Sequence, residues 1–480
     1  MCFSVVAGKD TTIDSNTMLG VNNDWTGYPG SIHHVGQKHY TKEDTHTLIS
    51  GKKIPNVETT YAYTHTTTAY DTGTLKNESW WGGVNENKVA IGMQGVYSFV
   101  DTEESEASLQ SDDIPVLLLQ RATSARDGIK MVGELIEKYG FTTSSIEGGE
   151  GVCTISVVDP DEGFFLEIAP GGYWVAKRVE DDEVEFRVNS FGIQEVDFQD
   201  TNRYLYSDSL KEKAIEEDLY EQNKVFNFYE IFSEDFSVSE YYGVASAPEN
   251  AIRKWHSIHF MSGEDIPLDE MRYTVKPNRK LTPRDLMDHL SLSSEDTKYD
   301  LSEEPEAGPH NNPFWMEVST SVGQAGTVFS SVFQLRRDLP SDIGIVSWFG
   351  LANSHLSPFI PHYFGSEGLP KAFEIGNIAE YNPNSAWWMF QEVGQLSYRN
   401  YQTIAKELVI PAFREMENTN IANQARMDKF FMELYEEDKE LFKKSIRQYT
   451  HAQASLGLEK ARELSQEIKS RFLANTHIDF

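Results

Sequence analysis

This sequence predicts a layered α+β fold with a helical C-terminal part, and three observations carry the prediction. Short apolar and β-branched runs separated by turn residues fill its first part, a periodic helix interrupts them, and from about Ser385 the pattern is almost wholly helical.

The runs "KVAIGMQGVYSFV", "GVCTISVVDPDEGFFLEIAPGGYWVAKRV" and "VEFRVNSFGI" read as consecutive antiparallel strands. Asp159-Pro160-Asp161-Glu162-Gly163 and Pro170-Gly171-Gly172 supply turns, because proline presets one backbone angle and glycine accepts the positive one. Among these runs "DDIPVLLLQRATSARDGIKMVGELIEKYG" reads as a helix, with Ile129, Val132, Leu135, Ile136 and Tyr139 at helical spacing and Gly140 as its C-terminal cap. The acidic stretch from about Ser207 to Asp235 also reads as helical. A second strand-rich stretch contains "FWMEVST", "TVFSSVFQL" and "IGIVSWFG", and the C-terminal helices are expected to break at Ile410-Pro411. This divides the chain into residues 1–383, a layered domain with a helical insertion near 207–235, and residues 384–480, a helical region packing on the same domain.

Composition narrows the function. The 480 residues, 39% hydrophobic, bury a large core, and the formal net charge of -33 argues against a nucleic-acid partner, whose phosphates need a basic surface. The acidic runs "DTEESEAS" and "VEDDEVE" lack the alternating oxygen-ligand spacing of a calcium loop and read as solvated surface. No H-E-x-x-H occurs among the 13 histidines and no glycine-rich loop precedes "GK[ST]", so no metal and no cofactor is expected. The start lacks a secretory signal and no stretch approaches a membrane span, so the expected location is the cytoplasm, with no membrane partner. Two cysteines, Cys2 and Cys153, suit that reducing compartment, and Cys153 in "GVCTISVV" reads as a core thiol. The adjacent pairs His33-His34 and Arg336-Arg337 point to opposite faces of a strand and read as surface. A homo-oligomer is compatible with everything above.

Cys2 stands directly behind Met1. A small residue there permits removal of Met1, which would leave one residue carrying both a thiol and a free α-amine. The amine titrates at about 7.7–8.0 and the thiol near about 8.5, so the amine can accept the thiol proton without a histidine. Such a site needs a carboxylate to orient the amine and donors for an oxyanion. The short apolar run after Cys2, the turn at Asp14-Ser15-Asn16 and a second run ending in Asn22-Asn23-Asp24 predict a hairpin that returns Asp24 to the chain terminus.

The chain resembles the PepD-like dipeptidases, cysteine members of the N-terminal-nucleophile hydrolases related to choloylglycine hydrolases and secernins. The resemblance is carried by "CFSVVAGKDTTIDSNTM" at the start, "GVNENKVAIG" at 83–92, "DPDEGFFLEIAPGGYWVAKRV" at 159–179 and "VNSFGIQEVD" at 188–197. Further matches are "AIRKWHSI" at 251–258, "VFQLRRDLP" at 332–340 and "YNPNSAWWMF" at 381–390. It implies a four-layer αββα sandwich for the hydrolase domain and hydrolysis of dipeptides through a thioester on Cys2. It further implies Asp24 as the orienting carboxylate, Asn189 as the oxyanion-hole asparagine and Arg253 as the cation favouring the ionised thiol. Asn85 is implied as a substrate-binding or supporting residue, with the strand-to-strand turn as its alternative role. In one respect the chain departs from the pattern. Many relatives have arginine where Val21 stands, so one of two cations beside the thiol is missing and the thiolate fraction should be smaller. The alternatives inside this fold are an amidase acting on N-acyl substrates and a non-catalytic, secernin-like interaction protein.

Overall fold

The computed structural model describes residues 2–24, 29–69, 78–97, 109–142, 144–146, 149–222, 224–232, 249–314, 320–376 and 380–474. Met1, residues 98–100 at the end of "KVAIGMQGVYSFV", residues 315–319 of "FWMEVST" and residues 223 and 233–235 of the expected helical insertion lie outside the described residues.

The first strand, Phe3–Ala7 (β1), pairs antiparallel with Met18–Asp24 (β2), so the predicted hairpin forms. The connection between them holds a short helical turn at Lys9–Thr11 and Ser15 in the left-handed region at φ 55°. These two strands occupy the middle of a seven-stranded sheet whose order is Thr274–Val275, Val184–Arg187, β1, β2, Thr327–Leu335, Ile345–Leu351, Ile360–Tyr363. A second, nine-stranded antiparallel sheet runs Tyr204–Tyr206, Tyr173–Arg178, Gly163–Ala169, Gly149–Val158, Ala90–Tyr97, Glu78–Asn85, Tyr63–Ala69, Gly30–Val35, with Ser144–Ile146 beside Gly149–Val158.

Every residue of β1 and β2 is buried, because the seven-stranded sheet is covered on both faces. Period-2 alternation sends Cys2, Val6, Leu19 and Val21 toward the second sheet, while Phe3, Val5, Ala7 and Met18 meet Leu286, Met287 and Leu290 of the helix Pro283–Leu290. The sheets meet closely at Gly92, where a Cβ would stand 2.5 Å from Val21 Cγ2; glycine is required there by space. On the far side, helices Asp113–Arg121 (α1) and Ala125–Tyr139 (α2) cover the nine-stranded sheet. Helix, sheet, sheet, helix is the αββα sandwich.

The single helix read over this region is two. Ser124 caps α2 by accepting from Asp127 N–H, and this local bond breaks the run at Ala122–Ser124; Gly140 ends α2 at φ 77°. The stretch 207–235 holds two short helices, Leu210–Glu216 and Phe228–Phe232, with Asp218 in the left-handed region between them. At Ile410-Pro411 the chain stays helical. A π-helix, Tyr401–Val409, passes into the α-helix Ile410–Glu437, and Pro411 falls in the first turn of the latter, where a missing N–H costs little.

Ile410–Glu437 is tied to the sandwich by charge: Glu417 pairs with Arg284, Asp428 pairs with Arg336, and Tyr363 donates to Asp428 at 2.8 Å. The last helix, Lys439–Ala474, lies against Ile360–Tyr363, with Gly457 packed on Ile360. No described helix is long and apolar enough to cross a membrane.

Candidate active site

The hairpin register pairs Phe3 with Asn22, which sets Asn23 across from Cys2 on the face turned to the second sheet. The Asn23 amide Nδ2 stands 3.9 Å from Cys2 Sγ and donates to the Met93 carbonyl at 3.1 Å. Sγ in turn lies 4.0 Å from the backbone carbonyl of Asp24. The Asp24 carboxylate is buried, and Oδ1 accepts from the Thr327 hydroxyl at 2.6 Å.

Two further residues arrive from remote parts of the chain. Arg253, on the helix Glu249–Ser262, is fully buried and donates Nη2 to the Cys2 carbonyl at 2.7 Å and Nη1 to Asn189 Oδ1 at 3.3 Å. Its guanidinium also stands over the Phe3 ring at 5.6 Å. Asn189 follows the strand Val184–Arg187 and donates Nδ2 to the Gly95 carbonyl at 2.9 Å, which leaves one of its two amide hydrogens for another acceptor. The structure thus brings together Cys2, Asp24, Asn189 and Arg253.

The loop after Asn189 is fixed by a buried charge cluster between the sheets. Glu167 accepts from Arg187 Nε at 2.7 Å and from the backbone N–H groups of Gly192 and Ile193, while Arg187 and Lys177 both pair with Glu185. These charges are buried as a paired set, the arrangement in which desolvation is offset.

Electrostatics at the thiol are opposed. Burial pushes the Cys2 thiol up, Asp24 pushes it further, and Arg253 pulls it down. Burial likewise raises Asp24, against Arg253 and the Thr327 bond. Cys153 is buried in its strand with its thiol pushed up to about 12, mainly by desolvation, and is chemically inert at neutral pH.

Asn85 is not part of this group. It sits at the turn between Glu78–Asn85 and Ala90–Tyr97, donates to the carbonyls of Leu119 in the last turn of α1 and of Ala122 just after it, and accepts from Asn87 and Val89 N–H. Its side-chain oxygen holds that turn, and its amide nitrogen ties the turn to the end of α1. Val21 lies on the same face as Cys2 and Asn23, two residues before Asn23, and packs against Gly92. Of the paired residues, Arg336 binds Asp428 and Arg337 reaches Asp161, so both arginines are held in ion pairs. Sequence reasoning missed Asn23, Thr327 and the Glu167–Arg187 pair. The first was available from the hairpin register; the other two depend on contacts between distant strands.

An αββα sandwich with a buried thiol heading a central strand is the arrangement of a cysteine-type hydrolase. Residues 1–410 match peptidase family C69, and the chain belongs to that family. It is 26% identical over 422 residues to dipeptidase A of Lactobacillus helveticus, covering 84% of this chain and 82% of that protein. It is 25% identical over 419 residues to a probable dipeptidase of Latilactobacillus sakei, covering 83% and 81%. Among solved structures, the C2A mutant of conjugated bile acid hydrolase from Clostridium perfringens superposes with a TM-score of 0.36 at 10% identity, covering 80% of this chain and 97% of that one.

Proposed function

We propose that this peptidase is a dipeptidase whose nucleophile is Cys2, exposed by removal of Met1. The observation that carries the reading is the Arg253 bridge, which joins the Cys2 carbonyl to the Asn189 amide across 251 and 64 positions of chain.

The freed Cys2 amine, oriented by Asp24, takes the thiol proton, and the thiolate attacks the scissile carbonyl. The oxyanion is held by the remaining Asn189 N–H and by backbone donors. On collapse the C–N bond breaks, the protonated amine gives its proton to the leaving nitrogen, and an acyl thioester forms on Sγ. Water, deprotonated by the same amine, attacks the thioester carbonyl; the C–S bond breaks and the thiol is restored. Val21 leaves Arg253 as the nearby cationic side chain, so the amine carries more of the activation than in relatives with arginine at that position. Two unbridged thiols support a cytoplasmic setting.

Intact mass before and after iodoacetamide, with dipeptide hydrolysis on the same samples, tests the reading. The expected result is loss of the methionine mass and one modification at Cys2 that abolishes turnover. Retained Met1, or full turnover with Cys2 blocked, refutes it and favours the non-catalytic alternative; hydrolysis of N-acyl amides in place of dipeptides favours the amidase.

A further inference from the structure

We propose that Asn23 reads the free amino end of the substrate and thereby restricts the enzyme to peptides with an unblocked α-ammonium. The inference rests on Cys2 being the nucleophile. Asn23 is 3% exposed, and its Oδ1 is buried without a hydrogen bond while its Nδ2 is anchored on the Met93 carbonyl 3.9 Å from Sγ. An orphaned buried acceptor is costly unless a donor is delivered to it, and this one stands beside the reacting sulfur.

The geometry matches a dipeptide. A planar amide sets its oxygen about 2.2 Å from its nitrogen, so Oδ1 lies within roughly 6 Å of Sγ. In the attacking complex the scissile carbon is about 3–3.5 Å from sulfur. The α-ammonium nitrogen of a dipeptide is two bonds from that carbon, about 2.5 Å away, and therefore falls in the same shell as Oδ1. Met93 holds the amide in one orientation, with nitrogen toward its carbonyl, so the acceptor face is the one offered to the substrate. The adjacent Asp24 carboxylate adds negative potential in a buried site. A desamino substrate leaves Oδ1 unpaired, and an N-acyl substrate offers it one neutral amide N–H in place of a charged donor.

The test compares L-alanyl-L-alanine with its desamino analogue, propionyl-L-alanine, on wild type, Asn23→Leu and Asn23→Asp. Wild type should prefer the free amine. Asn23→Leu should lose roughly 10- to 150-fold in kcat/KM on alanylalanine, the effect of one hydrogen bond to a charged group, with the analogue changed less than about threefold. Asn23→Asp keeps an acceptor oxygen in the same shape and should retain the preference, which keeps the proposal testable if the leucine variant does not fold. An equal loss on both substrates, no preference in wild type, or loss of the preference in Asn23→Asp overturns it. Blocking of wild-type turnover by alkylation of Cys2 is read in parallel: if it fails, the nucleophile assignment falls; if it holds while the substrate ratio is unmoved by Asn23→Leu, the role of Asn23 alone falls.

Discussion

Replacing Arg253 by methionine separates two roles that one side chain fills. Methionine retains packing against Phe3 and removes the charge together with the donors to the Cys2 carbonyl and to Asn189 Oδ1. Two charge-assisted bonds at about 1.5–3 kcal/mol each give a gross loss of roughly 3–6 kcal/mol; relief from burying a guanidinium returns part, leaving about 2–4 kcal/mol. Burial holds the Cys2 thiol up and Arg253 works against it, so removing the guanidinium should move the thiol further up. The larger effect is on Asn189, which loses the contact that aims its amide; a displaced oxyanion donor costs about 100- to 1,000-fold in kcat. Urea denaturation reads the stability, the pH profile of Cys2 alkylation reads the thiol, and steady-state hydrolysis reads kcat. A folded Arg253→Met enzyme with kcat within threefold of wild type would refute the bridge as the element that assembles the site.

Two other outcomes concern the scaffold. His65, His256, His289 and His362 are held neutral by burial, at about 3, 4, 3 and 3, so the unfolded chain takes up protons near pH 6.5 that the native state refuses. Stability is therefore full above pH 6.5 and falls as pH drops toward 4; at pH 5.5 each histidine costs about 1.4 kcal/mol. Asp288, pushed up to about 6 by burial, works in the opposite sense over the same window, so these five groups together lose roughly 4–5 kcal/mol. A urea midpoint unchanged between pH 7.5 and pH 5.5 would contradict this. Gly92→Ala should cost about 1–3 kcal/mol by forcing the sheets apart at Val21, and Val21→Ala in the same chain should recover part of it; additive losses in a double-mutant cycle would show that the two do not touch.

The hairpin and the long strands were legible because their signals are local. The turn at Asp14-Ser15-Asn16 sets the register that faces Asn23 with Cys2, and doubly covered strands read as unbroken apolar runs. The break between α1 and α2 was hidden because Thr123-Ser124 sits inside a pattern that stays apolar-periodic on both sides, and one capping bond decides it. The Glu167–Arg187 pair was invisible for another reason. A glutamate and an arginine within strands look like surface charge until two sheets close over them. Asn189, Gly95 and Arg253 converge across three remote segments, and only the family resemblance named two of them beforehand. Asn85, also named by resemblance, spends its side-chain oxygen on its own turn and its amide nitrogen on the end of α1.

The central position of β2 has a consequence for timing. Its outer neighbour is Thr327–Leu335, and the hydroxyl that holds the Asp24 carboxylate lies 303 residues further along the chain. At ribosomal speeds of about 5–20 residues per second, some 15–60 s separate the synthesis of Asp24 from that of Thr327. Throughout that interval β2 lacks its outer partner, and Asp24 lacks the hydroxyl that holds it in the proposed mechanism. If Cys2 is the nucleophile as proposed, a nascent chain truncated before Thr327 should show no peptide hydrolysis.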